Sequence, residues 1–272
     1  MIYIKTPEEI EKVRAACDLV SRTLGEVAKW VAPGVTTFKL DAIAREFILD
    51  NGGKPACLGY HGFPGTLCIE VNETVVHGFP SNYTLREGDI IGTDCVVELN
   101  GFHGDSCYTF SVGNIDGKVE RLLTTTREAL YRGIAAAKAG KRVGDVSNAV
   151  QTFCERAGYS VVREMCGHGI GKSMHEDPEV PNYGRRGVGA VLKPGMVIAI
   201  EPMINMGSKN IVIDRNGWEC RTRDRKPSAH YEHTVLITDD EPEILTTFDF
   251  IEEALLAKTA GSKEVVDINQ PD

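Results

Sequence analysis

Two stretches of this chain are one pattern written twice: LREGDIIGTD at residues 85–94 and LKPGMVIAIE at residues 192–201. In that register, 107 residues apart, Leu85 falls on Leu192, Gly88 on Gly195 and Asp94 on Glu201. Upstream, Gly34 and Gly52 recur as Gly140 and Gly158 at an offset of 106, with Leu40 on Val146 and Phe47 on Phe153. Each half therefore reads as helix, helix, strands, with an acid at the same place. Two related halves folded face to face would bring those acids together near a pseudo-two-fold axis.

Local signals agree. Thr6-Pro7-Glu8-Glu9 opens a helix: Thr6 caps, Pro7 suits the first turn and Glu9 completes a capping box. Apolar residues then recur at helical spacing to about Val31, and a second helix is expected from Thr37 to Asn51, stopping at Gly52-Gly53. Strand texture runs from Cys57 to Phe110, with Asn100-Gly101 as a hairpin turn. Helices are expected again over 117–139 and 143–157, and strands from Ser160 to Leu245. The expected class is α+β, a single domain over 1–250 with halves of about 1–115 and 116–250. Residues 251–272 read as the end of a C-terminal helix and a solvated, disordered tail.

At 272 residues the chain is long enough for a large buried core, and 42% hydrophobic with 25% charged residues is ordinary for a globular protein. A net charge of −9 argues against nucleic acid or an anionic membrane as partner; the short basic run CRTRDRK at 220–226 reads as a solvated loop. The opening MIYIKTPEEIEKVR lacks the apolar core of an export signal, and no segment approaches the ~18 apolar residues of a membrane helix. The eight cysteines form no CxxC pair, so they read as reduced, mostly buried thiols of a cytoplasmic protein.

Four acids and one imidazole stand out: Asp94, Asp105, His168, Glu201 and Glu232, each in or beside an apolar strand or a Gly-rich bend. An uncompensated buried carboxylate costs several kcal/mol or more, and two divalent cations would balance four of them. A type I′ turn at Asn100-Gly101 sets Asp94 opposite Cys107 and Val96 opposite Asp105, so both acids share a face as diagonal neighbours roughly 7–8 Å apart. His168 lies in CGHGIGKSMHEDP, with His175 seven residues on. Nucleotide-loop patterns fail there: the phosphate-loop spacing needs glycine where Cys166 stands, and the third glycine of a dinucleotide fingerprint comes one residue early. Glu201 ends the apolar run MVIAI before Pro202, and Glu232 is read as sitting inside a strand, AHYEHTVLI.

Over roughly residues 1–250 the chain closely resembles the bacterial type I methionine aminopeptidases. The resemblance is carried by GKPACLGYHGFPGTLCIEVNE (53–73), VVHGFP (75–80), NGFHGD (100–105), VVREMCGHGIGKSMHE (161–176), LKPGMVIAIEPM (192–203) and YEHT (231–234). It implies the pita-bread fold, a curved, mainly antiparallel sheet in two pseudo-symmetric halves covered by helices. It implies that Asp94, Asp105, His168, Glu201 and Glu232 ligate two divalent metal ions (Co, Mn, Fe or Zn), Asp105 and Glu232 bridging them. The implied reaction removes N-terminal methionine from nascent polypeptides whose second residue is small, by attack of a metal-bridging water or hydroxide on the first peptide bond. Glu201 would accept the proton of that water, His175 would stabilise the oxyanion, and His77 would contact the scissile amide nitrogen. The methionine pocket maps onto Cys57, Tyr60, Phe63, Cys68, His77 and Trp218, and a monovalent cation onto Asn72 and Ser228.

The same resemblance implies a monomer with the ribosome as a candidate partner. Where the family usually has Thr, an aromatic and Gln, this chain has Val96, Met174 and His230. Two other readings share the fold: a proline-specific aminopeptidase or prolidase, and a binding module that has lost its ligands. The first usually carries a large N-terminal domain, and the second would lack residues that are all present here.

Overall fold

The repeated glycines are turns at which an L side chain would be strained, and their backbones match in pairs. In the computed structural model, which describes residues 1–267 (side chains through 260), φ is +90° and +80° at Gly34 and Gly140, and +91° and +83° at Gly88 and Gly195. The hydrogen bonds around them repeat as well. Gly34 N–H donates to Leu85 O at 2.8 Å and Gly140 N–H to Leu192 O at 2.9 Å, while Leu85 and Leu192 return their N–H groups to Val35 O and Lys141 O. The duplication seen in sequence is a duplication of backbone.

The first half is α1 (Pro7–Ala28), α2 (Thr37–Asp50), β1 (Lys54–Pro55), a 3₁₀ turn (Tyr60–Gly62), β2 (Leu67–Val71), β3 (Thr74–Val76), β4 (Ile90–Leu99) and β5 (Phe102–Ser111). The second is α3 (Gly117–Ala136), α4 (Val143–Arg156), β6 (Ser160–Val161), β7 (Cys166–Gly169), β8 (Glu176–Pro181), β9 (Val197–Ile200) and β10 (Met203–Asn205). It continues through β11 (Ile211–Ile213), β12 (Cys220–Thr222), β13 (Ser228–His230), β14 (His233–Leu236), β15 (Glu243–Ile244) and α5 (Asp249–Asp267). The Thr6 capping box is formed. Helices α1 and α3 stop at Ala28 and Ala136, three residues short of the expected ends. Helix α5 runs on through part of the expected tail; the remainder of that tail, 268–272, lies outside the described residues.

β4 is flanked by β5 on one side and by β1 and β2 on the other, and the second half has the sheet β15-β14-β9-β7-β8. The hairpin register is the expected one, Asp94 facing Cys107 and Val96 facing Asp105 across a turn with φ +53° and +78° at Asn100 and Gly101. Glu232 departs from expectation. It is not inside a strand but in the two-residue break between β13 and β14, opposite a matching break at Glu201-Pro202 between β9 and β10. Register is kept across both breaks, His233 facing Ile200 and His230 facing Met203.

Freed from its ladder, the Glu232 N–H donates to Cys107 O at 2.9 Å in the other half. Hydroxyls complete this seam: Ser106 Oγ donates to Glu232 O, Thr109 Oγ1 to His230 O and Tyr231 OH to Thr109 O. One apolar cluster underlies both halves, including Leu24, Leu40 and Phe110 from the first and Leu130, Val150 and Ile200 from the second. The chain ends cross over. Lys5 Nζ is buried against Glu176 Oε2 at 2.7 Å in the second half, while α5 packs on α1, Thr247 N–H donating to Ser21 Oγ at 2.9 Å. Among the described residues no helix is long and apolar enough to cross a membrane.

Candidate active site

The seam between the halves floors a cleft of about 670 Å³ that Asp94, Asp105, His168, Glu201 and Glu232 all line. Asp94 and Asp105 come from the long hairpin, His168 from β7, and the two glutamates from the breaks just described. The quintet dispersed over the sequence is brought to one place.

Donor atoms of Asp105, His168 and Glu232 lie within 4.8 Å of one another. His168 Nδ1 is 2.8 Å from Gly169 O, and a carbonyl only accepts, so Nδ1 carries the hydrogen. The free lone pair is then on Nε2, which faces Glu201 Oε1 at 3.6 Å and Asp105 Oδ2 at 3.7 Å. Burial pushes the His168 pKa down to about 3, helped by His175, so the ring is neutral and able to ligate. Burial also raises Glu201 to about 8 and Asp105 and Glu232 well above the usual carboxylate range, with neighbouring acids adding to the rise.

Asp94 Oδ1, Asp105 Oδ1 and Glu232 Oε1 are buried without a hydrogen-bond partner. Orphaned carboxylate oxygens around a neutral imidazole are costly alone and are what a divalent cation satisfies. The residues present fit divalent metal ions.

The expected pocket residues also line the cleft. Phe63 meets Trp218 edge to face at 5.2 Å, and Cys57, Cys68, Val96 and Met174 complete one small apolar cluster. Tyr60 OH lies 3.1 Å from His175 Nδ1, and the His175 and His168 rings are 4.4 Å apart. His77 holds a left-handed φ of +59° with its ring 6.0 Å from Trp218, strain of the kind retained at functional positions. Burial lowers the pKa of both His77 and His175, favouring neutral rings. Of the three departures, Val96 and Met174 are walls of this apolar cluster. Asn72 and Ser228 stand together away from the cleft, Ser228 N–H donating to Asn72 O at 2.9 Å.

Glu70 is the side chain that sequence reading missed. Both its oxygens lie 3.0–3.2 Å from His230 Nδ1, in a site where each residue is almost wholly buried. Burial opposes a charge on His230, but Glu70 and Glu201 outweigh it and raise the ring to about 9. A signal was present: Glu70 shares a strand face with Cys68, which pairs with Asp94, and it pairs with Gly92, where a side chain would collide with its Oε2.

Comparison with known proteins agrees with this geometry. The profile of metallopeptidase family M24 matches residues 11–239. A methionine aminopeptidase of Clostridium perfringens is 50% identical over 246 residues, 90% of this chain and 99% of that one. The crystal structure of methionine aminopeptidase from Rickettsia prowazekii superposes with a TM-score of 0.90 at 40% identity, over 91% of this chain and all of that one. A prolidase from Pyrococcus furiosus is more distant, with a TM-score of 0.74 at 25% identity over 65% of its length. The chain belongs to metallopeptidase family M24, on the branch of the bacterial type I methionine aminopeptidases.

Proposed function

We propose that this metal-dependent aminopeptidase removes the N-terminal methionine of polypeptides whose second residue is small. The observation that carries the reading is the buried acid–imidazole cluster, with its orphaned carboxylate oxygens, opening directly into a small apolar pocket. Asp94, Asp105, His168, Glu201 and Glu232 would hold two divalent ions, of Mn, Fe, Co or Zn. Once bound, such ions supply an acidified water and polarise a carbonyl.

The chain's own groups do the rest. Phe63, Trp218, Cys57 and Cys68 take an unbranched thioether and keep water from it. Neutral His175, oriented by Tyr60, donates to the developing oxyanion, and His77 contacts the amide nitrogen that becomes the leaving amine. Glu201, at the strand break that borders the cluster, takes the proton of the attacking water once bound metal has displaced the proton it holds in the metal-free site. Asn72 and Ser228 would take a monovalent cation. In this reading residues 1–250 act as one catalytic unit, a monomer working in the cytoplasm on chains leaving the ribosome. The eight cysteines, all unpaired in the structure, fit a reducing compartment.

The test is incubation of the protein with Met-Gly-Met-Met and with an Ala-Pro peptide under several divalent metals. Methionine release is expected. Cleavage of the proline peptide without methionine release would make this a prolidase instead.

A further inference from the structure

The pseudo-two-fold relates the acid cluster to a second buried set. Asp105 faces Val96 as His230 faces Met203, and the register carried across the strand breaks sets Glu232 opposite Glu201 as Cys107 is opposite Asp94. Gly169 pairs with Ile198, placing His168 beside Ala199, where the first half has Glu70 paired with Gly92. The symmetry mates of Asp105, His168 and Glu232 are therefore His230, Glu70 and Cys107, and these three also gather their donor atoms within 4.8 Å.

The two sets differ in what they leave unsatisfied. In the first, two carboxylate oxygens lack partners; in the second both Glu70 oxygens are engaged, by His230 Nδ1 at 3.0 and 3.2 Å and by the Cys107 thiol at 3.8 Å. The second set answers its own charge, so no cation is called for. Its one orphan is His230 Nε2, which is buried and lies 3.9 Å from Glu201 Oε2. A carboxylate only accepts, so Nδ1–H donates to Glu70 and fixes the ring plane. The far nitrogen is thereby aimed at Glu201.

We propose that Glu70 and His230 are positioning residues for peptide hydrolysis: Glu70 holds the His230 ring, and His230 holds the Glu201 carboxylate where it takes the proton from water. The proposal rests on the reading of Glu201 as proton acceptor. A small rotation of Glu201 closes the 3.9 Å gap to a hydrogen bond. Gly92 is part of the device, since a side chain there would displace Glu70.

The test is a set of variants assayed on Met-Gly-Met-Met at saturating cobalt: Glu70→Ala, His230→Ala, His230→Gln, and Glu70→Ala combined with His230→Gln. Glu70→Ala and His230→Ala should each lower kcat about tenfold or more with KM within about twofold. They should also shift the visible spectrum of the cobalt-loaded protein, because Glu201 moves. The Gln amide reaches toward Glu201 without needing a carboxylate behind it. His230→Gln should therefore recover most of the kcat lost in His230→Ala, and Glu70→Ala should cost nothing further in that background. A Glu70→Ala loss of equal size in both backgrounds, or an unchanged spectrum, overturns the proposal. If Glu70→Ala does not fold, the isosteric Glu70→Gln takes its place, with a several-fold loss expected only when residue 230 is His. Glu201→Gln is run alongside. Full activity there would remove the reading of Glu201 itself, whereas an inactive Glu201→Gln with silent Glu70 variants would remove only the pair.

Discussion

The two halves place an acid at the same position by different backbones. In the first, β4 and β5 run unbroken for ten residues each, and Asp94 and Asp105 project from a continuous ladder. In the second, the equivalent strands are four and three residues long and part at Glu201-Pro202 and Tyr231-Glu232. A closed ladder delivers the shorter acid, whereas an open one delivers the longer acid and frees a backbone N–H to cross the seam to Cys107. Duplication supplies convergence on an axis; divergence at the axis supplies chemistry. Four identical acids on four identical strands would repel one another without providing a distinct proton acceptor.

The sharpest way to break that contrast is Glu201→Gln, which keeps shape and removes the acceptor. We expect kcat to fall about 10³-fold with the circular dichroism spectrum unchanged, and near-normal turnover would mean that the two halves are not specialised. Length comes next. Asp94→Glu and Glu201→Asp each move a carboxylate by about one methylene and should lose on the order of 10²-fold in kcat/KM. If the double exchange restores activity, the halves are interchangeable and the contrast is wrong.

Without metal, the folded state holds a proton on Glu201 up to about pH 8, while the unfolded chain releases it near the ordinary value of 4.5. The folded state therefore binds more protons in that window, and stability falls as pH rises through it. Above about pH 7 the buried neutral histidines no longer add to the slope, so calorimetry of chelator-stripped protein should show a lower Tm at pH 8 than at pH 7, and metal uptake at pH 7 should release protons. A Tm that climbs between those pH values would contradict the burial of these acids.

The smallest effect separates the paired turns. Both Gly88 and Gly195 have positive φ, but an alanine Cβ at Gly195 would lie 2.8 Å from Ile4 Cγ2, whereas at Gly88 the nearest atom is 3.8 Å away. Gly88→Ala should cost about 1–2 kcal/mol in denaturant unfolding and Gly195→Ala more. Equal losses would show that the N-terminal segment does not press on the second half.

Much of this was legible in the sequence because it is local or periodic. The Thr6 box and the Asn100-Gly101 turn are written in neighbouring residues, the glycine pairs in the repeat, and the hairpin register follows from the turn alone. The repeat then told where the second half would put its acid. What stayed hidden was set by the other half of the molecule. The break at Glu232 exists because its N–H has a better partner on Cys107, residues away from any local signal, and a run of alternating residues conceals it. Glu70 carries no local mark of its role, because its partner His230 lies 160 positions later in the sequence.

The crossed chain ends have a consequence for how the molecule is made. Lys5 has its buried partner at Glu176 and its N–H acceptor at Gly195, so this segment cannot take its native contacts before those residues have been made. Helix α1 likewise waits for Phe250, which abuts Gly25, and for Thr247. The contacts that join the two ends of the fold thus span most of the sequence, and neither half carries them alone.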